Sequence, residues 1–519
     1  MNQRIYFRGI QQNKDILLMT AIAIISLLLR LPFFFRDVID WDESTFILMG
    51  QSILDGHLPY TQLWDIKPPL AFFAYAGFIL LLGKSIISIR MAGTVCVILI
   101  AFFVYFSGKK VANRSSAFLA AIATSMGISL LGSGQATMTE HVALVPLTAA
   151  LALIFCYNKI PDLKLTFLIS ILLTTAAFIR LNLGYTVIII GCYLVVRQSP
   201  QWRKFLNHAL VYTLGCLLVI FLTYLPYLIT ENSQLWWTSV IVAPLQYSMD
   251  DSTLLESSRR LMMGLFNRSR QRLTLGVYLL IWIGGFLGII AAFLPRNRHN
   301  SPSFFQAASL TLITVSVSLS ILRSGATFQH YLIQVIPFLG LGTAILWQKL
   351  SKPRLLQQFV SVFVLFVLLS SLTPIISEYR SVGGRLRDGG TLQMGRSYEI
   401  AAYFRENQAE NEPIYMMVDH LVYWWIDSQP LTPITTHPSN LSRGYLLELV
   451  NGPGSSPESE LAKIFSAEPK FVVKKMVVNY LLSEGMQDAQ DFLDQQLANH
   501  YEKTAQILGR LIYKRIDRP

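Results

Sequence analysis

Charge is scarce in this sequence. Only 14% of its 519 residues are Asp, Glu, Lys or Arg, against about 25% in a soluble domain. That deficit excludes one large water-soluble fold. With 53% hydrophobic residues, lipid is expected to be the main solvent for most of the chain. Cysteine is scarce too. The four present, Cys96, Cys156, Cys192 and Cys216, all fall in apolar runs. They are expected to be small core residues, neither disulfides nor metal ligands. A signal-peptide cleavage site is missing: the first apolar run, to about Phe35, is too long for a signal core and is expected to stay as a span. A nucleic-acid motif is missing as well, so the net charge of +12 needs another explanation.

The basic residues supply it. Apolar runs at roughly 16–35, 86–106, 116–132, 142–157, 165–179, 184–196, 209–228, 273–294, 305–322, 331–348 and 357–374 suggest about eleven spans. Lys and Arg cluster before the first (Arg4, Arg8, Lys14) and at Lys109, Lys110 and Arg114. They recur at Lys159 and Lys164, at Arg197, Arg203 and Lys204, at Arg296 and Arg298, and at Lys349, Lys352 and Arg354. If the spans alternate, every cluster falls on one side, which the positive-inside rule makes cytoplasmic. One run, "PPLAFFAYAGFILLLG" at 68–83, would break the alternation if it crossed. It is expected to be an outer-face helix, interfacial or partly re-entrant, beside a cavity.

Two parts are set apart by composition: residues 1–374, the spans, and residues 375–519, a polar tail. In the tail, helices are expected at 397–408 and 486–498 and buried strands at "PIYMMV" and "FVVKKMVV". This reads as a small extracytoplasmic α/β domain without a nucleotide-type glycine loop or another catalytic signal.

The first outer loop is the informative one. "DWDEST", residues 40–45, puts three carboxylates where the chain leaves the bilayer. Asp40 as N-cap with Glu43 three residues on resembles a capping box before a short amphipathic helix. Capping leaves Asp42 unexplained, and also "DIKPPL", where Lys67 is a lone cation ahead of two stiff prolines. Lys67 reads either as a snorkelling lysine or as a ligand-binding cation. Five arginines of the loop 229–272 (Arg259, Arg260, Arg268, Arg270 and Arg272) suit a surface helix on anionic headgroups or a phosphate grip. Trp236 and Trp237 read as interface anchors.

"DWDEST…GHLPYTQLWDIKPPLAFFAY" followed by "SIRMAG" resembles the first periplasmic loop of bacterial protein O-mannosyltransferases and aminoarabinose transferases, of the GT-C superfamily. The resemblance implies a multi-span helical fold with outer juxtamembrane helices, and transfer of a sugar from a polyprenyl-phosphate donor to a lipid, glycan or protein acceptor at the outer bilayer surface. It implies catalytic roles for Asp42, Glu43 and Glu140, the last in "ATMTEH", and donor-phosphate binding by Lys67, Arg90, His330 and Tyr331. "DEST" departs from relatives that carry Gly and an aromatic after Asp-Glu, so the acceptor side is expected to differ. No cofactor is implied with certainty; carboxylates and His330 could bind a divalent metal, but no ligand spacing demands one. Two other readings remain: a lipid-linked-sugar transporter or flippase, disfavoured by the lack of internal repeats, and an O-antigen-ligase-like glycan transferase.

Overall fold

A computed structural model describes residues 2–156, 161–247, 253–267, 275–294, 302–323, 328–350, 354–476 and 486–516. Lys159, Arg268, Arg270, Arg272, Arg296, Arg298 and Lys352 lie outside the described residues. The chain forms two compact units. The first comprises Met1–Phe34, Arg90–Leu222 and Ser248–Gly390; the second comprises Phe35–Ile89, Thr223–Tyr247 and Thr391–Pro519.

The first unit is helical. Among the described residues, five helices of the chain are long and apolar enough to cross a bilayer: Asn13–Phe35, Ile86–Val111, Thr139–Cys156, Trp202–Ile229 and Phe304–Arg323. Shorter apolar helices include Leu163–Ile179 and Leu181–Val196. Helices that are apolar all round need either a core or lipid on every side. Both occur here: Ile313 and Leu339 are fully buried while Leu210, Ile283 and Phe366 are exposed. This is a membrane protein. Close helix contact comes from small residues. A Cβ on Gly288 would strike the Gly342 carbonyl, so the helices Leu275–Ala291 and Ile336–Leu350 touch backbone to backbone.

Polar locks sit among these helices. Asp15 accepts from Tyr105 Oη at 2.6 Å, Lys109 Nζ at 2.8 Å and Arg114 Nε at 2.8 Å. The start of the first apolar helix thus meets the end of Ile86–Val111, so the two run antiparallel. Arg30, fully buried, donates to Thr94 Oγ1 at 3.1 Å and to the carbonyls of Gly134, Gln135 and Ala136. Of the four cysteines only Cys96 is a core residue. Cys156, the last residue of Thr139–Cys156, and Cys192 are exposed, and Cys216 is half-buried.

The second unit begins where the first helix ends. Asp40 caps the helix Trp41–Leu54, its carboxylate accepting from Asp42 N–H at 3.1 Å. The apolar run at 68–83 forms the helix Pro69–Leu82, which opens on a proline at a position where a missing N–H costs nothing. Phe72, Tyr75 and Ala76 are buried, whereas Leu80 and Leu81 are exposed. The helix packs on Trp41–Leu54 at Gly50, where any Cβ would lie 2.8 Å from Tyr75 Cβ and the Ala76 nitrogen. Trp236 is no interface anchor: it is buried, edge-on to Tyr224 at 5.2 Å, while Trp237 is exposed.

In the same unit the tail supplies a four-stranded sheet in the order β1-β2-β4-β3. β1 (Ile414–Met416) pairs parallel with β2 (Phe471–Lys475), Tyr415 opposite Val472. β4 (Arg510–Arg515) runs antiparallel between β2 and β3 (Tyr501–Ile507). Leu461, Ile464 and Phe465 from Pro457–Ser466 and Leu493 and Leu497 from Gln487–His500 build its core against Tyr415 and Val472. The tail is tied to the residues after the first apolar helix. Asp37 accepts from Ser397 N–H at 2.6 Å, capping the helix Arg396–Glu406, and Met394 bonds to Phe35 and Asp37. Gly395 is required in this tie: its φ is +146°, and a Cβ would strike the Asp37 carboxylate.

Candidate active site

Within the second unit, the first turn of Trp41–Leu54 presents its two acids differently. Glu43 is buried and Asp42 keeps 24% of its side chain exposed. Asp42 Oδ1 lies 3.1 Å from His437 Nε2. The imidazole's other nitrogen, Nδ1, accepts from the Ser439 backbone N–H at 3.1 Å and lies 2.8 Å from Ser439 Oγ. A nitrogen that accepts from an amide carries a lone pair, so this network assigns the proton to Nε2, which donates to Asp42.

The loop 55–68 adds the remaining charges. Asp65 is buried and accepts from Lys67 N–H at 3.1 Å. Burial holds the Asp65 carboxyl above its usual range and the Asp42 charge adds to this; Lys67 and His437 act the other way. Lys67 is half-buried, and its carbonyl accepts from Tyr60 Oη at 2.6 Å. Among the described residues its ammonium has no hydrogen-bond or ion-pair partner, which leaves it able to meet a ligand.

A second cluster lies within the first unit. Glu140, in the first turn of Thr139–Cys156, is fully buried and pairs with Arg180 Nη1 at 2.7 Å. Arg180 follows Leu163–Ile179, donates to Thr139 Oγ1 at 2.9 Å and stacks over the Tyr331 ring at 4.6 Å. His330 Nε2 is 3.7 Å from Glu140 Oε1, and its ring meets Tyr331 edge-on at 4.8 Å. Glu140, His330 and Tyr331 are therefore brought together, around an arginine that no sequence motif singled out. Arg90 is fully buried and points Nη1 at the Gln135 carbonyl, 3.5 Å away. Among the described residues no three His, Cys, Asp or Glu side chains gather as a metal site.

The family model for dolichyl-phosphate-mannose-protein mannosyltransferases matches residues 66–229. ArnT from Cupriavidus metallidurans bound to undecaprenyl phosphate superposes with a TM-score of 0.63 at 14% identity, covering 97% of this chain and 98% of that one. Its apo state gives 0.63 at 13% identity, covering 98% of each. The chain has the GT-C fold. The Archaeoglobus fulgidus oligosaccharyltransferase is similar at a TM-score of 0.50 and 11% identity, over 88% of this chain and 68% of that one. No curated protein matches by sequence.

On this GT-C chain the tail carries a second histidine within electrostatic reach of His437. His420 is buried, hydrogen-bonds the Thr435 backbone, and is pushed down from 6.5 to about 3, by burial first and then by His437. Between those values the unfolded chain binds a proton that the folded chain refuses. Its contribution to stability is therefore lost as pH falls through 6.5, by about 1.4 kcal/mol per unit. Asp37 and Asp65, whose carboxyls are raised chiefly by burial, act in the opposite sense on acidification. Melting in detergent between pH 7 and 4.5 should thus fall more steeply for the native chain than for His420→Gln. Parallel curves would assign the acid sensitivity elsewhere.

Proposed function

We propose that this protein is a glycosyltransferase that moves a sugar from a polyprenyl-phosphate donor to an acceptor hydroxyl or amine at the extracytoplasmic face of the cell membrane. The observation that carries the reading is the partly exposed Asp42 carboxylate, held by His437 in the same unit as the ammonium of Lys67. In this reading Asp42 orients the acceptor and takes its proton. The acceptor attacks the anomeric carbon from the face opposite the phosphate, and the carbon–oxygen bond to the phosphate breaks with inversion. Lys67 neutralises the charge that develops on the leaving phosphate, an effect strongest in a dry site. Within the first unit, the proposal keeps Glu140, paired with Arg180, as a further catalytic carboxylate, and Arg90, His330 and Tyr331 as residues for the donor phosphate.

The fold shared with ArnT, itself bound to undecaprenyl phosphate, supports the donor class. The basic clusters support a cytoplasmic N-terminus and an outer tail. Mass spectrometry of envelope glycans and lipids, with and without the protein, tests the reading. A saccharide should vanish without the protein and return with the native chain. Lys67→Ala should restore it about ten- to a hundred-fold less well, since a charge-assisted contact to phosphate is worth roughly 1.5–3 kcal/mol. An unchanged envelope would refute the activity, and full restoration by folded Lys67→Ala would return Lys67 to the snorkelling role.

A further inference from the structure

We propose that His437 is the positioning residue of this enzyme, a histidine from the tail that aims the Asp42 carboxylate at the acceptor. The inference rests on the reading of Asp42 as the group that takes the acceptor proton.

The geometry over-determines where His437 sits. The segment that bears it, from Pro433 through Thr436 to Asn440, is bound to both elements of the candidate site within the second unit. Thr45, one turn after Asp42, donates to the Thr436 carbonyl at 3.0 Å. Trp64, next to Asp65, donates its N–H to the Pro433 carbonyl at 2.9 Å, and Thr436 Oγ1 donates back to the Trp64 carbonyl at 2.5 Å. Asn440 Nδ2 closes the turn on the Ile434 carbonyl at 3.1 Å. The imidazole thus reaches Asp42 from a frame that also carries the helix of Asp42 and the loop of Lys67. Ser439 fixes which nitrogen donates, and Trp41 meets the ring edge-on at 6.5 Å. With 12% of its side chain exposed, His437 has little room to turn. A carboxylate on a side chain with two rotatable bonds needs such a donor to keep one oxygen presented, and small misplacements of catalytic groups cost up to about a hundred-fold in rate.

The alternative is a histidine that only fastens the tail. The two roles separate in variants of the full-length protein, expressed to equal levels in cells lacking it and read by the envelope modification. His437→Ala should reduce modification about ten- to a hundred-fold. His437→Gln places an amide N–H near the position of Nε2 and should recover most of it. His437→Asn keeps a polar group facing Ser439 but falls short of Asp42, and should stay low; the Gln–Asn comparison decides the matter even if the Ala variant fails to fold. Binding of undecaprenyl phosphate to purified protein should be unchanged in all three. Because His437 acts through Asp42, the double variant Asp42→Asn/His437→Ala should be no worse than Asp42→Asn alone. Full modification by folded His437→Ala, equal loss in the Gln and Asn variants, or a double variant worse than Asp42→Asn would overturn the positioning role. An active Asp42→Asn variant would instead overturn the underlying reading of Asp42.

Discussion

Asp42→Asn should lose sugar transfer about 10²- to 10⁴-fold while keeping the fold. The magnitude is that of a lost general base, and the substitution is suited to isolating it. Asn keeps the volume of Asp, and its amide oxygen can still accept from His437 Nε2, now 3.1 Å from Oδ1. Only the ability to take a proton and the negative charge are removed. The neighbouring acid is the control. Asp40 caps the helix Trp41–Leu54 through the Asp42 N–H, and Asn caps nearly as well as Asp, so Asp40→Asn should remain active. A transfer assay on both variants, with melting in detergent to confirm folding, checks the pair of expectations. If Asp42→Asn retained transfer, the proton would be taken elsewhere and Glu43 or Glu140 would be the next carboxylate to test.

Arg180→Met should destabilise the chain by roughly 3–5 kcal/mol, the cost of leaving one member of a buried ion pair alone. Glu140 is fully buried and Arg180 nearly so, at an N···O distance of 2.7 Å. Removing Arg180 also removes the donor to Thr139 Oγ1 and the cation over the Tyr331 ring. The stranded carboxylate accounts for most of the loss, so Glu140→Gln/Arg180→Met should melt well above Arg180→Met. Thermal melting in detergent of the native chain, both single variants and the double measures the coupling. A double variant as unstable as the sum of the singles would mean that the two charges do not act as a pair.

Some of this arrangement can be read from the chain and some cannot, for physical reasons. Hydrophobic runs announce helices, and "DWDEST" with "DIKPPL" concentrates charge and stiff backbone where an apolar chain has no other use for them. His437 is invisible in the sequence because its partner is 395 residues away; "TTHPSN" has no periodicity and no charge, and only the folded loop brings it to Asp42. Arg180 does carry a signal. It stands between the apolar stretches 165–179 and 184–196, and an ionisable group at such a place is expected to have a partner. Strand β1 and the first three residues of β2 are buried and apolar, hence legible. β3 and β4 are not: Glu502, Lys503 and Thr504 are exposed, so "YEKTAQI" lacks an apolar face, and the hairpin is marked only by Leu508 and Gly509 at positive φ. Exposure of Cys192, inside the apolar helix Gly184–Val196, is hidden because a lipid-facing position and a core position favour the same residues.

The Asp15 cluster sets a timetable for synthesis. Its cationic partners lie 94 and 99 residues further along, so at about 5–20 residues per second a ribosome needs roughly 5–20 s to deliver them. Through that interval the first apolar helix carries a carboxylate without Lys109 or Arg114. The set of three donors around Asp15 is complete only once Arg114 has been made. The second basic cluster is thus a molecular latch, and its arrival dates the earliest moment at which the first apolar helix can be held to Ile86–Val111 through Asp15 by both cations.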